Sequence, residues 1–147
     1  MTMPDANKSD IVLFKEQHRQ DVIALWKKCG LVRAWNDPEK DIDRCLSVDA
    51  SRLFVLIKDQ TVIGSVMTGY DGHRGAVYYL SVDPAHQGGG YGRKLMQQCE
   101  DYLTGLGCPK INLFVRKDND AVHRFYGDMD YALETSAAFG KRLIPDD

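Results

Sequence analysis

Apolar positions recur along the first third of the chain with the periods of strands and helices. A short apolar run at 11–14 predicts a strand, and apolar residues three or four positions apart through 22–29 predict one buried helix face. Asp37 followed by Pro38 is typical of a helix start, because aspartate caps free N–H groups and proline fits the first helical position. This second helix is expected to end near Val48.

The middle of the chain combines three strand-like runs with one helical pattern. The runs lie at 53–58, 61–70 and 75–82, and Pro84 ends the third because proline cannot extend a hydrogen-bonded ladder. After a glycine-rich stretch, apolar residues at helical spacing over 95–106 predict a long helix.

The last part of the chain predicts a strand at 110–116, a short helix from Asn119 and a final extended segment at 131–143. The resulting order, β-α-α-β-β-β-α-β-α-β, indicates an α/β fold in which antiparallel strands precede a βαβ unit. We expect a mixed central sheet of about six to seven strands with four helices. One domain is expected at 10–147, after a flexible tail at 1–9.

Composition and charge narrow the class of protein. Of the 147 residues, 44% are hydrophobic and 27% charged, and the net charge of −2 gives no general attraction to nucleic acid or anionic membranes. No apolar run approaches the roughly 20 residues of a membrane-spanning helix, and the first ten residues lack the apolar core of a signal peptide. We therefore expect a cytoplasmic protein that binds neither nucleic acid nor membrane.

The cysteines predict packing rather than metal chemistry. Cys29, Cys45, Cys99 and Cys108 show no Cys-x-x-Cys pairing and no histidine at a zinc-ligand spacing. We expect reduced thiols and no bound metal.

The stretch Gln87–Arg93, Gln-Gly-Gly-Gly-Tyr-Gly-Arg, separates a predicted strand from a predicted helix. Glycines allow left-handed turns and let a ligand approach the backbone without meeting side chains. The first N–H groups of a helix have no intrahelical partner, and the helix dipole adds partial positive charge there. With Arg93 and Lys94 beside it, this stretch predicts a diphosphate site.

Two common phosphate-binding loops do not fit the glycines. The Walker pattern needs Lys followed by Ser or Thr, which is absent here, and in the dinucleotide fingerprint begun by Gly88 and Gly90 the third glycine is replaced by Arg93. A nucleotide-binding module remains an alternative, but we can place neither its ribose-binding acid nor its metal-binding side chain.

The residues at 87–92 instead fit Gln-x-x-Gly-x-Gly, which resembles the acetyl-CoA loop of the GNAT family of N-acetyltransferases, Arg/Gln-x-x-Gly-x-Gly/Ala. The segment Asn119–Tyr126 resembles a second family motif, Asn-x-x-Ala/Val-x-x-Phe/Leu-Tyr, which follows the next strand. The ending at 140–147 is similar to that of the small bacterial YpeA-type acetyltransferases. The resemblance covers the chain from Ile11 onwards.

The resemblance implies a GNAT-like domain that moves an acetyl group from acetyl-CoA to a primary amine, by direct attack in a ternary complex. The amine would belong to a small molecule or to the N-terminus of a protein or peptide. Tyr126 is expected to be catalytic, because a tyrosine hydroxyl can protonate the departing thiolate. The resemblance implies that acetyl-CoA is held by Leu80, Ser81, Val82, Gln87, Gly88, Gly89, Gly90, Tyr91, Gly92, Arg93, Asn119 and Tyr126.

The chain departs from the family in two places. Asp130 stands where the family has a glycine after its tyrosine, and aspartate tolerates positive φ better than most residues. No carboxylate stands on the strands at 77–80 or 111–115, where relatives carry a general base. We expect the amine proton to leave through a water held by backbone carbonyls, Tyr79 or Asn112.

Histidines are the other candidate bases. His18 and His73 are expected at the surface, whereas His86 lies next to the glycine-rich stretch and His123 on the helix of the second motif. We expect none of the four to reach the amine.

Two further expectations concern function and assembly. A protein that binds acyl-CoA as a signal, without catalysis, would need the same loop and remains the alternative. Because little chain follows Tyr131, we expect the acceptor cleft to be lined by the apolar segment 31–37 or by a second copy. A homodimer joined through its final strands would cover an otherwise exposed sheet edge.

Overall fold

A computed structural model describes residues 8–146 and contains one five-stranded sheet in the order β1-β2-β3-β4-β5. The first four strands are antiparallel neighbours, and the last is parallel to the fourth. The strands are β1 (Ser9–Leu13), β2 (Arg52–Lys58), β3 (Thr61–Tyr70), β4 (Gly75–Val82) and β5 (Ile111–Asn112). The predicted mixed α/β architecture is confirmed.

The four predicted α-helices are present in the described part of the chain. They are α1 (Arg19–Lys28), α2 (Pro38–Leu46), α3 (Tyr91–Gly105) and α4 (Asp120–Asp128). The Asp37 side chain caps α2 by accepting a hydrogen bond from the Lys40 N–H at 3.2 Å. Proline at the first position of α2 leaves no N–H to satisfy there.

The strand count was predicted wrongly. The sheet has five strands rather than six to seven, β5 has two residues where 110–116 was predicted, and no strand is assigned within 131–143. Alternation of apolar residues measures a tendency to form a strand, but a strand exists only where a neighbouring edge pairs with it. Of the expected tail at 1–9, residues 1–7 lie outside the described residues, and β1 begins at Ser9.

The described chain divides into two compact units. The first runs to Asn112, holds the sheet with α1, α2 and α3, and includes Asp146. The second, Leu113–Pro145, holds α4.

Both faces of the sheet in the first unit are covered by helices. Leu53 and Val55 of β2 belong to the buried cluster formed with α1 and α2, whereas the ring of Phe54 meets that of Tyr102 on α3, with 5.9 Å between centroids. Successive side chains of a strand point to opposite faces, so covering both faces buries the whole run.

The cysteines of the described chain are free thiols. Burial raises the pKa of Cys45 to about 11 and that of Cys99 to about 12. Among residues 8–146, every helix is too short or too polar to cross a bilayer.

Candidate active site

Strand β4 carries a bulge at Tyr79 and Leu80. The pairing of β3 with β4 shifts between Ser65 and Met67, so that these two residues of β4 face a single residue of β3. Tyr79 has a φ of 54°, a left-handed conformation that residues other than glycine seldom adopt. A bulge of this kind redirects the backbone beyond it.

Strand β5 pairs with only the first two residues of β4. Gly75 is opposite Ile111 and Ala76 is opposite Asn112, where the ladder ends. From there to Val82, β4 has no strand neighbour on this side within the described sheet. The second half of β4 therefore has no β-strand partner on this side among the described residues, and we call this interruption of the ladder the gap.

Two backbone N–H groups of β4 face this gap. The Asp83 N–H donates to the Ile63 carbonyl at 2.7 Å, on the β3 side. Because successive residues of a regular strand direct their N–H groups to opposite sides, the Val82 N–H points away from β3, and we infer the same direction for Leu80, which adjoins the bulge two residues earlier. Ser81 faces β3 instead, so of the three predicted strand residues it is the one whose N–H does not reach the gap.

A buried hydrogen-bond network supports the bulge from inside. The indole Nε1–H of Trp26 donates to Ser65 Oγ at 2.8 Å, and Ser65 Oγ donates to the Tyr79 carbonyl at 2.9 Å. Ser65 Oγ also lies 2.8 Å from Ser81 Oγ. Because Ser65 has one hydroxyl hydrogen and directs it at Tyr79, Ser81 is the donor in the third bond. The four residues thereby fix the carbonyl of the bulge residue.

The side chain of Tyr79 connects the bulge to α1 and α2. Its ring stacks on Trp26 with 3.8 Å between centroids and 13° between planes. Its hydroxyl donates to Asp41 Oδ2 at 2.5 Å. The pKa of the Tyr79 hydroxyl is raised well above its usual value. Burial is the larger cause, and the hydrogen bond to the Asp41 carboxylate is the second.

Asp41 is a carboxylate that sequence reasoning missed. Neither strand carries an acid, and Asp41 lies on α2, where an acid in the first turn is explained by the helix dipole. Nothing local in the sequence connects it with Tyr79.

The carboxylate of Asp146 is held close to the same tyrosine. Its side chain is 2% exposed, lies 3.0 Å from Arg44 Nη2 and accepts from the Asp37 N–H at 3.4 Å. The negative charges of Asp146 and Asp37 add to the rise in the Tyr79 pKa, after burial and Asp41. The Tyr79 hydroxyl thus stays neutral beside carboxylates.

The glycine-rich stretch forms an open turn into α3. Gly88 and Gly90 have φ values of 86° and 82°, and a Cβ atom at either position would meet no atom of the described chain within 4 Å. Gly90 is the N-cap of α3, which begins at Tyr91. The Gln87 side chain donates to the Val82 carbonyl at 3.2 Å, and so connects the turn to the end of β4.

The charged residues near this turn differ in orientation. Lys94 donates to the carbonyl and hydroxyl oxygens of Ser9, at 3.0 Å each, so its charge is directed at β1 rather than at the turn. Arg93 is exposed in the first turn of α3. Lys28 lies 2.8 Å from Asp83 and, through this hydrogen bond, lowers the pKa of that carboxyl.

The second unit contains the two residues of the other motif. Asn119 caps α4 by accepting from the Val122 N–H at 3.3 Å. Tyr126 is 9% exposed, and its ring meets those of Phe125 and Tyr131 edge to face at 5.0 and 5.5 Å. Asp130 has a φ of 68°, which confirms the expected turn.

The structure therefore brings the predicted site residues into two groups. Leu80, Val82 and the stretch Gln87–Arg93 are connected in the first unit. Asn119 and Tyr126 share α4 and its cap in the second unit.

One of the histidine expectations is wrong. His18 is buried, with 7% of its surface exposed, because its Nδ1 accepts from the Lys15 N–H at 3.0 Å and its ring meets that of Phe14. His123 Nε2 lies 3.0 Å from the Arg116 carbonyl.

The apolar segment 31–37 is partly folded onto the core. Leu31 and Val32 pack against the buried cluster of α1, α2 and β2, whereas Trp35 is 59% exposed. Only part of the segment is therefore available to line a cleft.

Taken from the residues upward, the site suits a long ligand with amide groups and a diphosphate. The N–H groups of Leu80 and Val82 can pair with carbonyl oxygens, and the glycine turn at a helix N-terminus can receive an anion. Acyl-coenzyme A has groups of both kinds.

Comparison with known proteins gives the family. Residues 19–131 match the Acetyltransferase (GNAT) family. An acetyltransferase of Yersinia pestis (strain Pestoides F) is 46% identical over 137 residues, which cover 93% of this chain and 97% of the relative. Acetyltransferase SG1711 of Sodalis glossinidius is 47% identical over 138 residues, with the same coverage of 93% and 97%. The chain belongs to the GNAT family and is an acetyltransferase.

A solved structure confirms the fold. AAC(6')-Iy in complex with the bisubstrate analog CoA-S-monomethyl-acetylneamine superposes with a TM-score of 0.78 at 16% identity. The match covers 93% of this chain and 99% of that protein. The predicted family, α/β fold class and acetyltransferase activity are confirmed.

Proposed function

We propose that this enzyme transfers the acetyl group of acetyl-CoA to a primary amine, and that the amine attacks the thioester directly while both substrates are bound. The observation that carries the proposal is the gap beside β4, where the N–H groups of Leu80 and Val82 lead to an open glycine turn. The solved relative AAC(6')-Iy holds a bisubstrate analog, which supports a ternary complex.

Each part of the first unit has a proposed role toward acetyl-CoA. The N–H groups of Leu80 and Val82 donate to carbonyl oxygens of the donor, and the N–H groups at 88–93 receive its diphosphate. Ser81 acts indirectly, through its hydroxyl contact with Ser65. Fixed N–H groups of this kind stabilise the negative charge that develops on a thioester oxygen during attack.

Asn119 and Tyr126 complete the proposal on the strength of the second motif. Asn119 is assigned a cofactor contact in addition to its capping bond, and Tyr126 is assigned the protonation of the leaving thiolate. A tyrosine hydroxyl can act as a general acid toward a departing thiolate.

The proton path is proposed to run through Tyr79 and Asp41. After the nitrogen has bonded to the acetyl carbon, its proton passes to Tyr79 Oη while the phenolic proton passes to Asp41 Oδ2, 2.5 Å away. The exchange leaves the tyrosine neutral and the aspartic acid protonated. A free amine is easier to supply from an α-amine, with a pKa of about 7.7–8.0, than from lysine at about 10.4, so an α-amine is the favoured acceptor.

Steady-state assays with thiol detection test the reaction class. Acetyl-CoA is supplied with small primary amines, peptides with free N-termini and matched peptides with blocked N-termini and one lysine. We expect free CoA to appear in step with an acetylated α-amine. Intact mass of the enzyme with acetyl-CoA alone should show no added acetyl group. Direct attack would be refuted if the enzyme became acetylated and then passed that acetyl group to an added amine.

Substitutions of two aspartates of α2 test the proposed proton path separately from the reaction class. Asp41→Asn is expected to lower kcat by about 10²-fold or more, because acid–base groups contribute on this scale. Asp43→Asn is the matched control, since Asp43 lies on the same helix but pairs with Arg19 at 2.7 Å. Equal kcat values for the two variants would remove Asp41 from the mechanism without affecting the acetyltransferase assignment.

A further inference from the structure

Asp146 is a buried carboxylate of the first unit that takes no part in the proposed proton transfer. Its side chain is 2% exposed, although it lies beside the carboxylates that surround Tyr79. Aspartate is almost never fully buried unless it is paired, because an unpaired charge loses its hydration. The partners of Asp146 on α2 therefore explain how its charge is accommodated.

Three positions of α2 form the face that meets Asp146. Asp37, Asp41 and Arg44 are four and three residues apart, so they lie on one side of the helix. The Asp146 carboxylate accepts from the Asp37 N–H at 3.4 Å. Its two oxygens also accept from Nη2 and Nη1 of Arg44, at 3.0 and 3.4 Å, as a two-pronged pair. Asp146 thus spans this face from the N-cap to the last turn.

The Arg44 guanidinium lies between two carboxylates but binds them unequally. Nη2 is 3.0 Å from Asp146 Oδ1, whereas Nη1 is 3.6 Å from Asp41 Oδ1, beyond the length of a hydrogen bond. The other oxygen of Asp41, Oδ2, accepts from the Tyr79 hydroxyl at 2.5 Å. The guanidinium is therefore held by Asp146, and Asp41 is held by Tyr79.

We propose that Asp146 is a positioning residue of the proton path, which binds the Arg44 guanidinium and so keeps it from the Asp41 carboxylate. The inference rests on the proposed role of Asp41 as the acceptor of the Tyr79 proton. The Arg44 side chain is half exposed and three residues from Asp41 on the same helix, so without Asp146 its fork would turn to Asp41.

Pairing with arginine would make Asp41 a poorer proton acceptor, because a hydrogen-bonded cation favours the ionised form of a carboxylate. The negative charge of Asp146 acts in the same direction, since a neighbouring like charge favours protonation of Asp41. Both effects of Asp146 therefore assist the transfer of the proton from Tyr79 to Asp41.

Asp146→Asn tests the role of this charge, because asparagine keeps the shape of the side chain and an oxygen that can accept hydrogen bonds. The assay uses acetyl-CoA with whichever amine or peptide of the steady-state assays releases CoA fastest. We expect kcat to fall roughly tenfold, a part of the 10²–10⁴-fold that a whole acid–base group contributes. The KM for acetyl-CoA should stay within about twofold, because the donor is proposed to bind at β4 and the glycine turn.

Asp43→Asn is the matched control for Asp146→Asn. It breaks another carboxylate–arginine pair of α2, in which Asp43 lies 2.7 Å from Arg19. This variant should keep the parental kcat. Urea unfolding at the pH of the assay verifies that each variant is folded.

A second substitution distinguishes positioning from stabilisation of the fold. Adding Arg44→Met to Asp146→Asn removes the cation that Asp146 restrains, so kcat should return to within about threefold of the parent. A pair that only stabilised the fold would give no such recovery, because the double variant lacks the pair as well. On an Asp41→Asn background, Asp146→Asn should lower kcat no further.

Three results would each overturn the proposal: a parental kcat in Asp146→Asn, a double variant with Arg44→Met as slow as Asp146→Asn, or an equal fall in kcat on the Asp41→Asn background. A parental kcat in Asp41→Asn itself would refute the proton path and the role of Asp146 with it. The acetylated product would still report the reaction class, so the two failures remain distinguishable.

Discussion

The Tyr79 hydroxyl donates a 2.5 Å hydrogen bond to Asp41, and this contact joins the bulge of β4 to the first turn of α2. The same tyrosine stacks on Trp26 and has a left-handed backbone conformation. A strained residue persists when its surroundings hold it, and such residues concentrate at functional sites. Tyr79 therefore connects the proposed proton path to the strand that offers N–H groups to the donor.

The Tyr79–Asp41 contact predicts a pH-dependent stability. Because the pKa of Tyr79 is raised in the folded state, its contribution is complete below the unfolded value near 10 and is lost as pH rises through the folded pKa. Tyr79→Phe should lower the free energy of unfolding by about 1–2 kcal/mol at pH 8. Urea unfolding of both proteins at pH 8 and at pH 11 should show a smaller difference at the higher pH. A difference that is constant or grows with pH would contradict the assigned contact.

Ser65→Ala should damage the bulge as well as the stability. The substitution leaves the Trp26 indole and the Tyr79 carbonyl without their buried partner, which costs about 1–3 kcal/mol of unfolding free energy. If the bulge positions the Leu80 and Val82 N–H groups, the KM for acetyl-CoA should also rise or kcat should fall, by roughly tenfold.

Thr68→Val is the matched control for Ser65→Ala. Thr68 lies on the same strand, is 1% exposed, and its Oγ1 donates to the Ala76 carbonyl of β4 at 2.8 Å. The Thr68→Val variant should lose a comparable free energy of unfolding, whereas its kcat and its KM for acetyl-CoA should equal those of the parent. Similar kinetic effects in the two variants would mean that Ser65 stabilises the sheet without positioning the bulge.

Tyr126→Phe should lower kcat by about 10²–10⁴-fold while the affinity for acetyl-CoA stays within about twofold, because the substitution removes the proposed acid and keeps the aromatic ring. Tyr102→Phe serves as control, since that hydroxyl donates to the Ala50 carbonyl at 2.9 Å and has a structural role. Single-turnover measurements follow the chemical step directly. An unchanged chemical rate in Tyr126→Phe would mean that Tyr126 packs in the buried aromatic cluster of the second unit and is not the acid.

Features set by neighbouring residues could be predicted from the sequence. The Asp37 cap, the Asn119 cap and the positive φ at Asp130 each depend on a few adjacent positions, and all three are present. The glycine turn at the start of α3 belongs to the same group, because only glycine adopts its conformations without strain.

Features that depend on the fold of the whole chain could not be predicted from the sequence. Asp41 and Tyr79 are 38 residues apart in the sequence, and Trp26 and Ser65 are 39 residues apart, so no local sequence pattern predicts either contact. The prediction of a final extended strand at 131–143 was wrong for a related reason, because a sequence pattern cannot show whether a sheet edge is available for pairing. The proposed Tyr79–Asp41 path joins two elements that no local sequence pattern connects.

Calorimetric titration of acetyl-CoA into Gly90→Glu and Gly107→Glu tests the assignment of the acetyl-CoA site most directly. The two glycines have φ values of 82° and 81°, and neither would place a Cβ within 4 Å of another described atom, so both substitutions strain the backbone alike. Gly90→Glu alone adds bulk and negative charge at the start of α3, where the diphosphate is proposed to bind. We expect its Kd for acetyl-CoA to rise by roughly 10²-fold, a loss of about 3 kcal/mol, while Gly107→Glu binds like the parent. Equal affinity of Gly90→Glu and the parent would contradict the site.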